Sequence, residues 1–107
     1  MSAVNIDLKN FHQEVMNSDK PVLLDFWAPW GGPCRMVAPI VEAIANDRDD
    51  IIVGKVNIDD EPRLAIQEMI EVIPTLVLYR DGEVLGSIVA PDSKAMIDRF
   101  IRESLGK

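Results

Sequence analysis

The sequence predicts an α/β fold in which a central mixed β-sheet is flanked by helices, with the element order βαβαβαββα. Nearly continuous apolar runs, typical of strands covered on both faces, alternate with apolar residues at helical spacing. Near the end of the chain, two strand-like runs meet at Asp81-Gly82, a dipeptide typical of a tight hairpin turn. Because the early crossovers favour parallel strands and the late hairpin requires antiparallel ones, the sheet should be mixed.

The first half of the chain alternates strands and helices. A weak strand at residues 4–6 precedes Asp7, which can cap the first helix, and Val22–Trp27 reads as a central strand. The second helix follows a Pro/Gly-rich loop, and Pro39 should bend it by removing a backbone donor. The apolar residues assigned to these two helices are Leu8, Phe11 and Val15, then Met36, Ile40, Val41, Ile44 and Ala45.

The second half begins with another buried strand at residues 51–58 and a helix whose first turn contains Pro62. The hairpin joins residues 75–80 to residues 83–89, and Asp92-Ser93 opens the last helix. The residues expected to face the core from these two helices are Leu64, Ala65, Met69 and Ile70, then Met96, Ile97, Phe100, Ile101 and Leu105.

Composition limits the classes of function. The chain has 107 residues, of which 48% are hydrophobic, and it has a formal net charge of −7. This charge argues against nucleic acid and anionic membranes as partners, and no apolar run approaches the roughly 20 residues of a spanning helix. The N-terminal residues 1–7 lack the features of a signal peptide, and a single cysteine excludes an internal disulfide. We therefore expect a cytoplasmic monomer.

Four separated segments carry the chemical signal. They occur in a fixed order, at the end of the central strand, in the loop and helix start after it, on the next strand, and before the hairpin. The segments are Asp25-Phe26-Trp27-Ala28; Gly32-Pro33-Cys34-Arg35-Met36 with Ala38-Pro39; Lys55-Val56-Asn57-Ile58-Asp59; and Ile73-Pro74-Thr75-Leu76.

Together these segments resemble the thioredoxin family, and the resemblance covers essentially the whole chain. It implies a single thioredoxin domain at residues 1–107, with the thioredoxin fold. It also implies a protein-disulfide oxidoreductase of cell redox homeostasis and electron transport, which acts on protein disulfides and receives electrons from a flavin-dependent thioredoxin reductase. No cofactor or metal ion is expected on the chain itself.

The chain departs from the family at the residue that matters most for this chemistry. Gly31 stands where the motif Trp-Cys-Gly-Pro-Cys has its first cysteine. A dithiol attacks a disulfide, forms a mixed disulfide and is released by its second sulfur, whereas a single thiol cannot complete this cycle. The sequence therefore predicts that dithiol–disulfide exchange is lost or severely impaired.

Two charged residues are candidates for a role near the thiol. Asp25 interrupts an apolar strand, where an unpaired carboxylate costs several kcal/mol, and Lys55 on the neighbouring strand is its natural partner. One interpretation is a proton relay beneath the cysteine, with the pKa of Asp25 raised by desolvation. The alternative is a structural ion pair without a catalytic role.

Cys34 and Gly31 have opposing interpretations. A helix start favours a thiolate at Cys34, but the resemblance implies the shielded, resolving sulfur of the motif, and we expect a small buried hydrophobic residue. For Gly31 we expect conformational freedom and a bare backbone at the surface.

The resemblance also implies a peptide-binding patch beside the loop. It makes the Ile73–Pro74 bond cis, with a free backbone edge at Ile73 to which an extended peptide can add as a strand. Trp27 is interpreted as core packing. The expected patch consists of Trp30, Ile73, Pro74, Ala90 and Pro91, flanked by Gly32 and Pro33 of the loop.

Further departures surround this patch. Val72 and Ala90 replace glycines of the family and add bulk around the groove, and Glu71 stands where related chains are often basic. His12 is interpreted as a surface residue, remote from the loop and without partners for a metal site.

Three functions are compatible with these observations. The first is a member of the oxidoreductase family that lacks turnover because of Gly31. The second is a non-catalytic binding module that recruits a protein through Trp30 and Pro74. The third is a one-cysteine redox protein that uses Cys34 for mixed disulfides or a shared iron–sulfur cluster, but monothiol relatives of that kind retain the first cysteine. We favour the first for ancestry and the second for what the chain can physically do.

Overall fold

A computed structural model describes residues 2–107, whose strands form one five-stranded sheet in the order β1-β3-β2-β4-β5. Strands β1, β3 and β2 are parallel, β4 is antiparallel to β2, and β5 is antiparallel to β4. This arrangement confirms the predicted fold class and the mixed sheet. The strands are β1 (Val4–Asn5), β2 (Val22–Trp27), β3 (Ile52–Asn57), β4 (Thr75–Arg80) and β5 (Glu83–Val89).

Four helical segments connect and cover these strands. They are a short π-helix (His12–Met16), α1 (Gly32–Asp47), α2 (Pro62–Gln67) and α3 (Lys94–Ser104). Asp7 stabilises the turn that leads into the π-helix, because its carboxylate accepts a hydrogen bond of 2.8 Å from the backbone N–H of Asn10. Helix α1 continues through Pro39.

The sheet is covered on both faces because the side chains of β2 and β4 are apolar on both sides. Leu23 and Leu78 pack against α1 and α3, whereas Leu24 and Phe26 face the opposite layer, which the π-helix and α2 supply. Each of these four side chains is fully buried. The central strands therefore hold the two layers together and fix the position of the loop that follows β2.

Local signals at the hairpin and at the last helix act as predicted. Asp81 and Gly82 both have positive φ, at 54° and 77°, as a two-residue hairpin turn with right-handed twist requires. The Ser93 hydroxyl accepts a hydrogen bond of 3.1 Å from the backbone N–H of Met96 and caps α3. Across residues 2–107, no helix combines the length and the hydropathy that crossing a membrane requires.

Three methionines expected to face the core are instead exposed. Met36 is 73% exposed, Met69 is 83% exposed and Met96 is 40% exposed. Apolar periodicity placed Met69 on the buried face of α2, but the helix ends at Gln67 and Met69 lies after it. Met36 and Met96 lie on the outer sides of their helices, since their neighbours Val37 and Ile97 are the buried residues of those turns.

Met69 has a left-handed backbone, with φ at 60°. For a residue with a Cβ this conformation costs roughly 1–2 kcal/mol, which glycine avoids. We predict that Met69→Gly raises the free energy of unfolding by about 1 kcal/mol, as measured by urea denaturation. Met69→Ala is the matched control, since it removes the exposed side chain but keeps the unfavourable φ, and should change stability little. Equal effects of the two substitutions would contradict this explanation.

Candidate functional site

The loop between β2 and α1 leads directly into the first turn of the helix. Pro33 occupies that turn, where its missing N–H removes no helical hydrogen bond. Gly31 precedes the helix with φ at −84° and ψ at 115°, an extended conformation that any residue adopts. The expectation that Gly31 supplies conformational freedom is therefore wrong.

Gly31 is also buried, which corrects the expectation of a bare backbone at the surface. A Cβ built on Gly31 would lie 2.9 Å from Cys34 Sγ and 3.3 Å from Ile73 Cδ1. The sulfur of Cys34 therefore borders the space in which a side chain at position 31 would begin. An unbonded side chain there would force the sulfur to move.

Cys34 is only 3% exposed, in the first turn of α1. Its side chain packs as a small apolar group beneath the loop. By contrast, Gly32 is exposed, and a Cβ at that position would meet nothing within 4 Å. A side chain at position 31 would therefore contact the thiol, whereas a Cβ at position 32 would not.

Asp25 is 2% exposed and lies opposite Lys55 in the register of β2 and β3. Burial raises the pKa of Asp25 from 3.8 to about 7, while the positive charge of Lys55 acts in the opposite direction. Among residues 2–107, no ion pair joins the two side chains, and Asp25 Oδ1 has no hydrogen-bond partner. The structure therefore brings the pair together electrostatically without a direct contact.

Trp27 follows Asp25 on the same face of the sheet and is partly exposed, so it is less deeply packed than expected. Its indole N–H is buried without a partner among the described residues. Trp27, Lys55 and Asn57 line an open polar cleft of about 410 Å³. This cleft gives the region around Lys55 access to water.

Trp30 projects from the loop and is 63% exposed. Its indole N–H donates a hydrogen bond of 3.1 Å to the carboxylate of Asp59. Sequence reasoning assigned no role to Asp59, although a signal was present. The carboxyl ends of the parallel strands β2 and β3 meet at one edge of the sheet, so residues just beyond them should be neighbours.

The Ile73–Pro74 peptide bond is cis, as predicted. The Thr75 hydroxyl donates to the Val72 carbonyl at 2.6 Å, and the Ala90 N–H donates to the Pro74 carbonyl at 2.9 Å. Neither the N–H nor the C=O of Ile73 has a partner within the part of the chain that the structure describes. The backbone of Ile73 is thus free to pair with another strand.

The expected patch needs one correction. Pro74 and Pro91 are buried, and Ile73 is only partly exposed. Met36 and Val72, which were not assigned to the patch, are exposed. The exposed apolar residues around the loop, called the apolar face below, are Trp30, Pro33, Met36, Val72 and Ala90.

His12 is exposed on the π-helix, as expected. Within residues 2–107, no group of three or more histidine, cysteine or acidic side chains is placed to hold a metal ion. The arrangement around Cys34 therefore offers one buried thiol, one buried carboxyl group and an apolar face with a free backbone edge.

The chain is similar to known thioredoxins over nearly its whole length. A family model described as thioredoxin matches residues 2–103. The chain is 44% identical to a thioredoxin of Porphyra purpurea over 104 residues, which are 96% of this chain and 97% of that protein. It is 43% identical to thioredoxin 1 of Nostoc sp. over 97% of this chain and 98% of that protein. Thioredoxin 1 of Synechococcus elongatus is 49% identical over 89% of this chain and 90% of that protein.

The raised pKa of Asp25 predicts a pH dependence of stability. The folded protein binds this proton more tightly than the unfolded chain, so the contribution to stability is complete below pH 3.8 and is lost as the pH rises to about 7. The loss is on the order of 4 kcal/mol. We predict that Asp25→Asn raises the free energy of unfolding by a few kcal/mol above neutral pH and that this gain disappears in acid.

Urea denaturation across this pH range measures the effect, with Asp92→Asn as the control for removing one exposed carboxylate. A gain from Asp25→Asn that does not change with pH would contradict the assignment.

Proposed function

The chain belongs to the thioredoxin family, and from that premise we propose that it binds an extended segment of a protein partner without turnover as a disulfide reductase. The proposal combines an inherited recognition surface with the loss of one reacting group. The absence of turnover and the binding of a partner rest on different observations and are tested separately.

Loss of turnover follows from the chemistry of exchange. One thiolate attacks a disulfide sulfur and expels the other sulfur as a thiolate, and a second thiol then displaces the reduced substrate as it closes an internal disulfide. Two electrons leave the dithiol in this sequence. With Cys34 as the only thiol, a mixed disulfide would have no internal group to resolve it.

The observation that carries the proposal is the burial of Cys34 against residue 31. The thiol is 3% exposed, and the position that would hold an attacking sulfur is Gly31. The same burial argues against the one-cysteine redox protein, since mixed disulfides and a shared cluster both need an accessible thiolate. Asp25 and Lys55 then have no attacking thiol to serve, and we assign them no catalytic role in this chain.

Binding is supported by the free backbone of Ile73 and by the apolar face around it. A peptide that pairs with Ile73 gains main-chain hydrogen bonds, and exposed apolar side chains beside it supply contact area. Trp30 is the largest of these side chains and is positioned by Asp59. Partner binding through this surface needs no redox step.

The charge and the cysteine count of the chain also bear on its partners and its cellular location. The net charge of −7 favours protein partners over nucleic acid or membrane surfaces. A single cysteine fits a reducing compartment, so we place the chain, as one domain at residues 1–107, in the cytoplasm as a monomer. Thioredoxin reductase would act on the chain only if the dithiol were restored.

Restoring the first cysteine should restore the activity. The Cβ position at residue 31 lies 2.9 Å from Cys34 Sγ, close to the roughly 3 Å that a disulfide imposes between one Cβ and the partner sulfur. We predict that Gly31→Cys reduces insulin with NADPH and thioredoxin reductase at least about 100-fold faster than the unmodified chain, which should remain at background.

Gly32→Cys is the matched control. It adds a thiol at a neighbouring position, where the Cβ would have no atom within 4 Å. It should give no turnover. Rapid turnover by the unmodified chain would overturn the proposed absence of turnover. Formation of the internal disulfide in Gly31→Cys without turnover would instead show that Val72 and Ala90 close the groove to substrates.

Binding through the apolar face is tested by capture under reducing conditions. Val72 and Val84 are similarly exposed, at 51% and 57%, but lie at opposite ends of the β4–β5 hairpin. We predict that the immobilised chain recovers a defined protein from a cytoplasmic extract in dithiothreitol. Val72→Asn should reduce recovery severalfold, because it places an amide in an apolar contact without changing the charge of the face. Val84→Asn should leave recovery unchanged.

Capture that requires an oxidant, or equal losses with the two variants, would refute binding by this surface.

A further inference from the structure

A small pocket adjoins the loop at Pro33. It has a volume of about 110 Å³ and lies between the start of α1 and the segment after β5. Pro33, Met36, Ala90 and Pro91 contribute to its wall, and Asp92 is the only charged residue that lines it within residues 2–107. The pocket therefore has room for one apolar side chain beside a carboxylate.

This pocket is next to the free backbone edge. The N–H of Ala90 donates to the carbonyl of Pro74 at 2.9 Å, which places the pocket wall beside Ile73. On the other side, the Cβ position of Gly31 lies 3.3 Å from Ile73 Cδ1, which places the loop against the same residue. A strand paired with Ile73 would run between these walls, with alternate side chains on its two faces.

Carboxylates surround this path. Asp59 holds the Trp30 indole, Glu71 is exposed next to Val72, and Asp92 lines the pocket. Arg35, in the first turn of α1, is the exposed cation beside Cys34. The rim of the apolar face is thus predominantly acidic. The net charge of −7 also attracts cationic segments at long range.

We propose that the apolar face selects an extended protein segment that has an apolar side chain for this pocket and lysine or arginine on both sides of that side chain. This inference rests on the binding function proposed above. The free edge of Ile73 sets the extended conformation. The pocket selects the apolar residue, and the acidic rim selects the flanking charges.

Isothermal titration calorimetry in dithiothreitol tests the proposal with synthetic peptides that contain no cysteine. The probe is acetyl-Thr-Lys-Val-Leu-Val-Lys-Thr-amide, in which both lysines lie on the same strand face as the central leucine. Two comparison peptides replace both lysines by glutamate, or the leucine by glutamine. We expect the lysine peptide to bind at least about tenfold more tightly than either comparison peptide. Its advantage over the glutamate peptide should fall severalfold as salt rises from roughly 0.05 to 0.5 M.

The contribution of the rim is tested by Glu71→Gln combined with Asp92→Asn, which should remove most of the preference for lysine. Glu14→Gln combined with Glu83→Gln is the matched control. It changes the net charge equally, but Glu14 lies on the π-helix and Glu83 at the hairpin turn, away from the apolar face. The control should retain the preference.

The outcomes separate this inference from the function on which it rests. If the lysine and glutamate peptides bind equally, or the rim variant keeps the preference, selection by charge is refuted and binding itself stands. If no peptide binds, both are refuted. A dimer in sedimentation velocity that Val72→Asn dissociates would also overturn the inference, because a second copy of the chain would then cover the face.

Discussion

Pairing of β2 with both β3 and β4 is the constraint on which the site depends. Because β2 is bonded on both edges and covered on both faces, it cannot shift its register without exposing its apolar side chains. The loop that carries Gly31 leaves the end of this strand, and Pro74 enters β4 beside it. The relative positions of the loop, Ile73 and Asp59 are therefore set by the sheet and not by the loop alone.

Strand and helix periodicity made most of this fold predictable. The apolar runs identified β2 and β4, and the local chemistry of Asp81-Gly82 and Ser93 identified the hairpin turn and the start of α3. The errors concern three methionines. Met69 fits the periodic pattern of α2 but lies after the helix has ended. Met36 and Met96 belong to apolar stripes that are wider than the face that their helices bury, and periodicity alone does not give that width.

The candidate site was less predictable because it depends on contacts between distant segments. The sequence marked Cys34, Asp25 and the cis bond before Pro74, but it suggested a surface position for Gly31. Only the packed structure shows that the sulfur of Cys34 borders the space beside Gly31. The burial of Pro74 and Pro91 likewise depends on tertiary packing, which the sequence pattern does not show. The raised pKa of Asp25 also depends on tertiary packing, because burial, with no partner for Oδ1, favours the neutral carboxyl group.

The hydrogen bond between Trp30 and Asp59 has a thermodynamic consequence for recognition. An exposed aromatic side chain normally loses rotational freedom when a ligand immobilises it, at about 0.5–1.5 kcal/mol for a flexible side chain. The indole of Trp30 is already restrained before any encounter. The chain thus presents a preorganised aromatic platform, and association with a ligand need not include the entropic penalty of ordering that ring.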